Sequence, residues 1–239
     1  MFKFVKAFFR GLYKILLAYP KICRYAKRKD KYSFEVRYAY LRKLVKIVFK
    51  SFRVEVNAIG VEKVNPNDTH LFICNHQGVM DALTLVYLYE KPMTVVSKIE
   101  VKKYPIIGKA CEMIDAIFID RDNIRDAVKM VKTSKEYLSM GRNVAIFPEG
   151  TRTKDPDYMT GEYKAGALKP AYETKTNMAV AVIDGSYKIF SKKFKKDIKV
   201  TVEIFDVLTP DQYLDKNTNE LAKEMQDKTN EKIKAIRKQ

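Results

Sequence analysis

Residues 74–81 read CNHQGVMD, and His76 within them is one of only two histidines in the chain. Asp81 follows five positions later. On one continuous helix the two side chains would stand about 140° apart around the axis, so they cannot share a face. A turn between them, which Gly78 permits, would let Asp81 sit in the first turn of the next helix with its carboxylate facing back toward His76. A carboxylate bonded to one imidazole nitrogen fixes the tautomer and stabilises the imidazolium formed when the other nitrogen takes a proton. Such a pair is a general base. The spacing alone equally admits an incidental loop histidine followed by a helix cap. A second cluster, FPEGTRT at 147–153, carries Glu149, Gly150, Thr151 and Arg152. Backbone amides, a hydroxyl and a guanidinium in one turn suit an anionic oxygen or a phosphate; a strand-end turn with a solvated arginine is the plainer alternative.

These residues need elements to bring them together. The stretches 52–59, 71–74, 93–97, 116–119, 143–147, 178–183 and 198–205 read as strands, from alternation or from short apolar runs. Helical periodicity marks 81–89, a segment from Asp122 to Gly141 with Ile124, Ala127, Val128, Val131 and Leu138 on one face, and a polar closing helix from Thr218. Strands alternating with helices predict an α/β fold whose central mixed, largely parallel sheet is flanked by helices. In such sheets ligands gather where strands end and loops lead into helices, and both clusters directly follow an apolar strand.

The first fifty residues read differently. In MFKFVKAFFRGLYKILLAYP, Lys3, Lys6, Arg10 and Lys14 fall mostly on one side of a helix, and Phe4, Phe8, Leu12, Ile15 and Tyr19 on the other. A second basic amphipathic helix runs from Ser33 to about Phe52, and RYAKRKDK between the two is expected to be a solvated linker. Together they predict a membrane-interfacial two-helix segment, 1–50, ahead of a catalytic domain, 51–239. Charges inside the apolar run and the lack of a small-residue cleavage site argue against a signal peptide. The 46 basic and 29 acidic residues give a formal net charge of +17, which attracts anionic lipid, phosphorylated substrates or nucleic acid. With no zinc knuckle, RNP-like or helix-turn-helix signature, nucleic acid is not expected as a partner. Cys23, Cys74 and Cys111 form no CxxC pair, so neither a disulfide framework nor a metal site is expected; Cys74 reads as core and His70 as solvated.

Taken together, the motifs resemble those of the 1-acyl-sn-glycerol-3-phosphate acyltransferases. Asn75, His76 and Asp81 match an NHxxxxD block; Phe118, Ile119, Asp120 and Arg121 match an FIDR block preceded by SKIEVKKYPIIGK; residues 147–152 match FPEGTR; Lys164 and Gly166 match a downstream lysine-glycine element. Their order and spacing agree over about 60–190. Two departures stand out: NMAVAVID has Ala179 and Ala181 where a fourth block usually carries proline, and Asp115 or Ala116 replaces a glycine often found before FIDR. The resemblance implies His76 and Asp81 as the catalytic pair, and Arg121, Glu149, Gly150, Thr151 and Arg152 as the substrate-phosphate region, with Lys98 a further phosphate candidate. An ionised Glu149 has no proton to donate to a phosphate, so its place is to hold the turn or an arginine. The implied co-substrates are lysophosphatidic acid and acyl-CoA or acyl carrier protein, with no cofactor. The implied setting is an anionic membrane surface, the enzyme peripheral or monotopic on the cytoplasmic face of the cell membrane.

Overall fold

The computed structural model describes residues 2–153, 155, 157, 159–190 and 198–238, with the side chains of residues 2–10 and 190 excepted. The expected positions of Lys3, Phe4, Lys6, Phe8 and Arg10 on the first helix therefore lie outside the described side chains. The chain runs α1 (Phe2–Lys27), α2 (Phe34–Phe52), β1 (Val54–Ile59), β2 (His70–Cys74), α3 (Asp81–Leu88), β3 (Met93–Lys98), α4 (Pro105–Met113), β4 (Ile117–Ile119), α5 (Ile124–Ser139), β5 (Asn143–Ile146), α6 (Lys169–Thr174), β6 (Asn177–Asp184), β7 (Ile198–Leu208), α7 (Pro210–Tyr213) and α8 (Thr218–Lys238). The seven strands form one sheet in the order β1-β7-β6-β2-β5-β3-β4. Only β6 and β7 pair antiparallel, so the sheet is mixed and largely parallel, as expected.

Central β2 explains why the core is divided in two. Its five residues are all buried, and alternation sends Phe72 and Cys74 into one apolar cluster with α1–α4, and Leu71 and Ile73 into another with α5, α6 and α8. Flanking β5 and β6 alternate the same way. A strand buried on both faces reads as a continuous apolar run, which is what LFIC is.

The N-terminal region departs from expectation in four ways. α1 continues through Pro20 to Lys27, and Tyr25 and Ala26 are buried. Half of RYAKRKDK is therefore packed helix, with the Tyr25 ring against those of Tyr32 and Tyr40 at 4.5 and 5.3 Å. The apolar stripe of α2 (Phe34, Tyr38, Leu41, Leu44, Val45 and Phe49) is buried in the core. At about 1.5–3 kcal/mol per large apolar side chain, that stripe is committed to the protein interior. Of the expected apolar side of α1, Leu12 is 43% exposed and Ile15 and Tyr19 are half-buried; Ala18 and Ile22 pack inward, while Tyr13, Leu16 and Leu17, outside that expected side, remain exposed. The strand expected from Phe52 begins at Val54 because α2 runs to Phe52 and ends on Arg53, whose left-handed conformation closes the helix through its N–H to Lys50 O.

His70 also differs from expectation. It is the first residue of β2 and fully buried. Its backbone N–H donates to Asn143 Oδ1 and its Nδ1 lies 3.1 Å from Asp68 O. Burial lowers its pKa, and its Nε2 is buried without a hydrogen-bond partner. Cys74 is core, as expected, and burial raises its thiol pKa well above the usual value.

Candidate active site

Parallel pairing places the two motifs side by side. Ile73 of β2 lies opposite Ile146 of β5, so His76 and Glu149, each three residues further on, leave adjacent strands at the same edge. The chain after β2 turns through residues 75–80 and enters α3 at Asp81. His76 Nδ1 lies 2.7 Å from Asp81 Oδ2, and that oxygen also accepts the backbone N–H groups of Gln77 (2.7 Å) and Gly78 (2.9 Å). Asp81 Oδ1 accepts the Ser186 hydroxyl in a short hydrogen bond. Asp81 is fully buried, and these donors fix its carboxyl group with one oxygen aimed at the imidazole. Nδ1 therefore carries the proton, and Nε2 is the nitrogen left to act as base. The Phe147 ring stacks on the imidazole at 4.4 Å and 23°, which fixes its plane.

Gly78 makes this turn possible by a route other than the expected conformational freedom. Its φ is not among the positive values. A Cβ there would instead meet Ser186 Oγ at 3.1 Å and Tyr187 N at 3.2 Å, so the missing side chain is what lets the segment after β6 reach Asp81. Gly150 in the second motif does need its freedom, with φ +68°.

Glu149, expected to hold its own turn or an arginine, instead bridges the turn after β2 and the loop at Gly161. Its Oε1 accepts the His76 N–H at 2.7 Å and its Oε2 accepts the Gly161 N–H at 2.9 Å. Burial pushes its carboxyl up to about 7 against the pull of those two bonds, and the charge of Asp81 adds to the rise. Thr153 N–H donates to His76 O at 2.8 Å, so the His76 backbone is held on both sides by the second motif.

The expected phosphate residues lie at the same carboxyl edge. Arg121 follows β4; Gly150, Thr151 and Arg152 follow β5, with Thr151 and Arg152 exposed. Burial, with the nearby charge of Arg152, lowers the pKa of Arg121, and its Nε is buried without a hydrogen-bond partner. Two guanidinium groups held close together, one with an unpaired donor, suit a doubly charged anion. Lys98 ends β3 but is paired with Glu100 at 2.7 Å, so it is less available. Lys164, noted in the sequence only as part of a motif, reaches the turn: a Cβ on Gly150 would stand 3.4 Å from Lys164 Nζ.

The sequence profile described as Acyltransferase matches residues 55–184, which contain His76, Asp81 and the turn at 147–153. The chain belongs to the acyltransferase family. It is 33% identical over 172 residues to a probable 1-acyl-sn-glycerol-3-phosphate acyltransferase of Mycoplasma genitalium, covering 70% of this chain and 63% of that one. It is 27% identical over 203 residues to the 1-acyl-sn-glycerol-3-phosphate acyltransferase of Borreliella burgdorferi, covering 81% and 79%. The chain thus spans a little under two thirds of the mycoplasma relative. The fold matches that of the crystal structure of the 1-acyl-sn-glycerophosphate (LPA) acyltransferase, PlsC, from Thermotoga maritima, with a TM-score of 0.77 at 19% identity, covering 100% of this chain and 98% of that one.

Several residues that build the acyltransferase site escaped sequence reasoning. Ser186 and Asp184 come from the end of β6 and beyond, more than 100 residues from Asp81 and Gln77, which they bind. Asn75, named in the NHxxxxD block but with no role read from it, spans to β6 through its side chain, donating to Ile183 O (2.9 Å) and accepting from Ile183 N–H (2.7 Å). No local pattern announces such pairings; the nearest signal was the polar DGS ending an otherwise apolar strand. Among the described residues of the acyltransferase, no group of three His, Cys, Asp or Glu side chains is placed to hold a metal.

Proposed function

We propose that the protein transfers a fatty acyl group from a thioester donor, acyl-CoA or acyl carrier protein, to the sn-2 hydroxyl of 1-acyl-sn-glycerol 3-phosphate, giving phosphatidic acid. The observation that carries this reading is the His76–Asp81 pair on the same sheet edge as the Arg121 and Arg152 cations. An alcohol is a weak nucleophile at neutral pH. His76 Nε2 takes its proton as the oxygen attacks the thioester carbonyl carbon. Collapse of the tetrahedral intermediate breaks the C–S bond, and the imidazolium returns the proton to the departing thiolate. Asp81 stabilises the imidazolium in between, and the guanidinium groups fix the acceptor's phosphate. A direct attack of this kind requires no acyl-enzyme.

Both acceptor and product are lipids, and we place the enzyme peripherally on the cytoplasmic face of an anionic membrane. Support comes from the +17 charge, the exposed Leu12, Tyr13, Leu16 and Leu17 of α1, and exposed Val79, Tyr104, Ile107, Ile124 and Val128, which all follow carboxyl ends of β2, β3 and β4. No described helix is long and apolar enough to cross a membrane. The deciding experiment is a mass-spectrometric acyl-transfer assay with acyl-CoA and acyl carrier protein donors against 1-acyl-sn-glycerol 3-phosphate, glycerol 3-phosphate and lysophospholipids with larger headgroups. Preferred use of the first acceptor supports the reading. Preference for another acceptor replaces the substrate, and no transfer to any of them removes the reaction.

A further inference from the structure

The side of the catalytic turn facing away from the phosphate residues is tied to the last turn of α8. Asp184, buried at the end of β6, accepts on one oxygen from Arg237 Nε (3.0 Å), Arg237 Nη2 (2.6 Å) and Gln77 Nε2 (3.1 Å). The other end of the Gln77 amide accepts the Gly185 N–H at 3.1 Å, and the Gln77 backbone N–H donates to Asp81 Oδ2. A continuous chain of hydrogen bonds thus runs from α8 through Asp184 and Gln77 to the carboxylate that orients His76. The same helix also holds the loop on the far side of the base. Arg237 Nη1 donates to Asp157 O, Asn230 Oδ1 accepts the N–H and hydroxyl of Thr160 (2.9 and 3.0 Å), and Thr229 Oγ1 accepts the Tyr163 hydroxyl at 3.2 Å. That loop contains Gly161, whose N–H binds Glu149, the residue holding the His76 N–H.

We propose that Arg237 is a positioning residue: it braces the Gln77–Asp81 turn through Asp184, and through the 157–163 loop braces Glu149, so that His76 is held from two directions by one helix. Surface ion pairs are worth little on their own. This one ends on a buried carboxylate that also binds the residue next to the base, so its effect falls on geometry. A shift of about 1 Å at a reacting centre lowers turnover by roughly 10²-fold.

The inference rests on the proposed acyl transfer for its kinetic arm. In the full chain, Arg237→Met is expected to lower kcat about 10- to 100-fold with the KM of donor and acceptor within about twofold, and Arg237→Lys, which keeps the charge and loses the fork, to fall between. Asp184→Asn is expected to lower kcat similarly. The double variant Arg237→Met/Asp184→Asn should be no slower than the slower single, because both act along one path. A folded Arg237→Met enzyme with kcat within twofold of wild type, a change confined to KM, or multiplying effects in the double variant overturns the proposal. If Arg237→Met does not fold, Asp184→Asn decides by the same criterion. An arm independent of activity uses ¹⁵N-histidine spectra, where the two histidines give two resolvable rings. The Nδ1–H signal of His76 is expected to shift or broaden in Arg237→Met while that of His70 stays fixed; an unchanged His76 signal overturns the proposal. A wild-type protein inactive on every acceptor with a His76 signal that still responds would remove the reaction and leave the brace.

Discussion

Asp81 accepts donors from the turn before it, the imidazole beside it and a serine 105 residues later, so its role is to keep one imidazole orientation and one tautomer. His76→Ala should lower acyl transfer by about 10² to 10⁴, and Asp81→Asn should lose most activity because an amide cannot stabilise the imidazolium; near-normal turnover in either, by the mass-spectrometric assay, would take that residue out of the mechanism. Glu149 makes a prediction with a defined sign. Its folded pKa, about 7 against an ordinary 4.5, means the native state binds more protons than the unfolded state between those values. Stability from this group is therefore greatest at low pH and declines as pH rises from about 4.5 through 7. His70, with its lowered pKa, works in the opposite sense below about 6.5, so the test is a difference: melting temperatures of Glu149→Gln minus wild type, measured across pH 4.5–8, should become less negative as pH rises. Activity should fall about tenfold, since the amide can accept only one of the two N–H groups. His76, Asp81 and the FPEGTR turn were legible from residue type and spacing. Ser186 and the Asp184–Arg237 pair were not, since nothing local distinguishes a polar residue at a strand end that binds a distant turn from one that faces water.

At the scale of elements, all seven strands announced themselves by apolar runs or alternation; β1, which alternates but carries no buried residue, is the one not explained by a buried face. What the sequence hid was how helices end and which face they bury. α4 was missed because its nine residues follow a charged stretch and span little more than two turns, too few for a period to register. α2 showed its amphipathic pattern plainly, yet pattern alone does not say whether the apolar side meets lipid or protein. One residue fixes that choice. Asp115, at φ +54°, binds Arg37 of α2 at 2.9 and 3.1 Å, Lys29 after α1 at 2.7 Å and Arg142 before β5 at 3.4 Å. Lys29 and Arg37 hold its carboxyl below the ordinary value despite burial. Arg37 is nearly buried, so Asp115→Ala strands a buried charge and is expected to cost about 3–5 kcal/mol. For a chain of this size that is a drop of roughly 6–20 °C in melting temperature by calorimetry; a drop under about 2 °C would show that α1 and α2 are held by apolar packing alone.

At the scale of the whole molecule, α1 leaves Leu12, Tyr13, Leu16 and Leu17 exposed within two turns of one helix. Leu16→Glu with Leu17→Glu should weaken binding to anionic vesicles at least about tenfold, each leucine being worth about 1.5–3 kcal/mol if fully buried, while transfer to a short-chain, water-soluble acceptor changes little. High salt should weaken the wild-type interaction without abolishing it, because screening acts on the lysines and not on the leucines; equal vesicle sedimentation of the two proteins would count against α1 as the docking surface. The strand order carries a last consequence, one of timing. β2 is flanked by strands that follow it by about 70 and 105 residues, and Glu149, Thr153 and Ser186, which hold the His76–Asp81 turn, come from beyond the ends of those same strands. Helices can form within microseconds from local contacts, whereas such long closures are slow. In refolding from denaturant, far-UV ellipticity should therefore recover early and catalytic turnover only with the final, sheet-closing phase; turnover returning with the first phase would mean that the base is set before its sheet neighbours arrive.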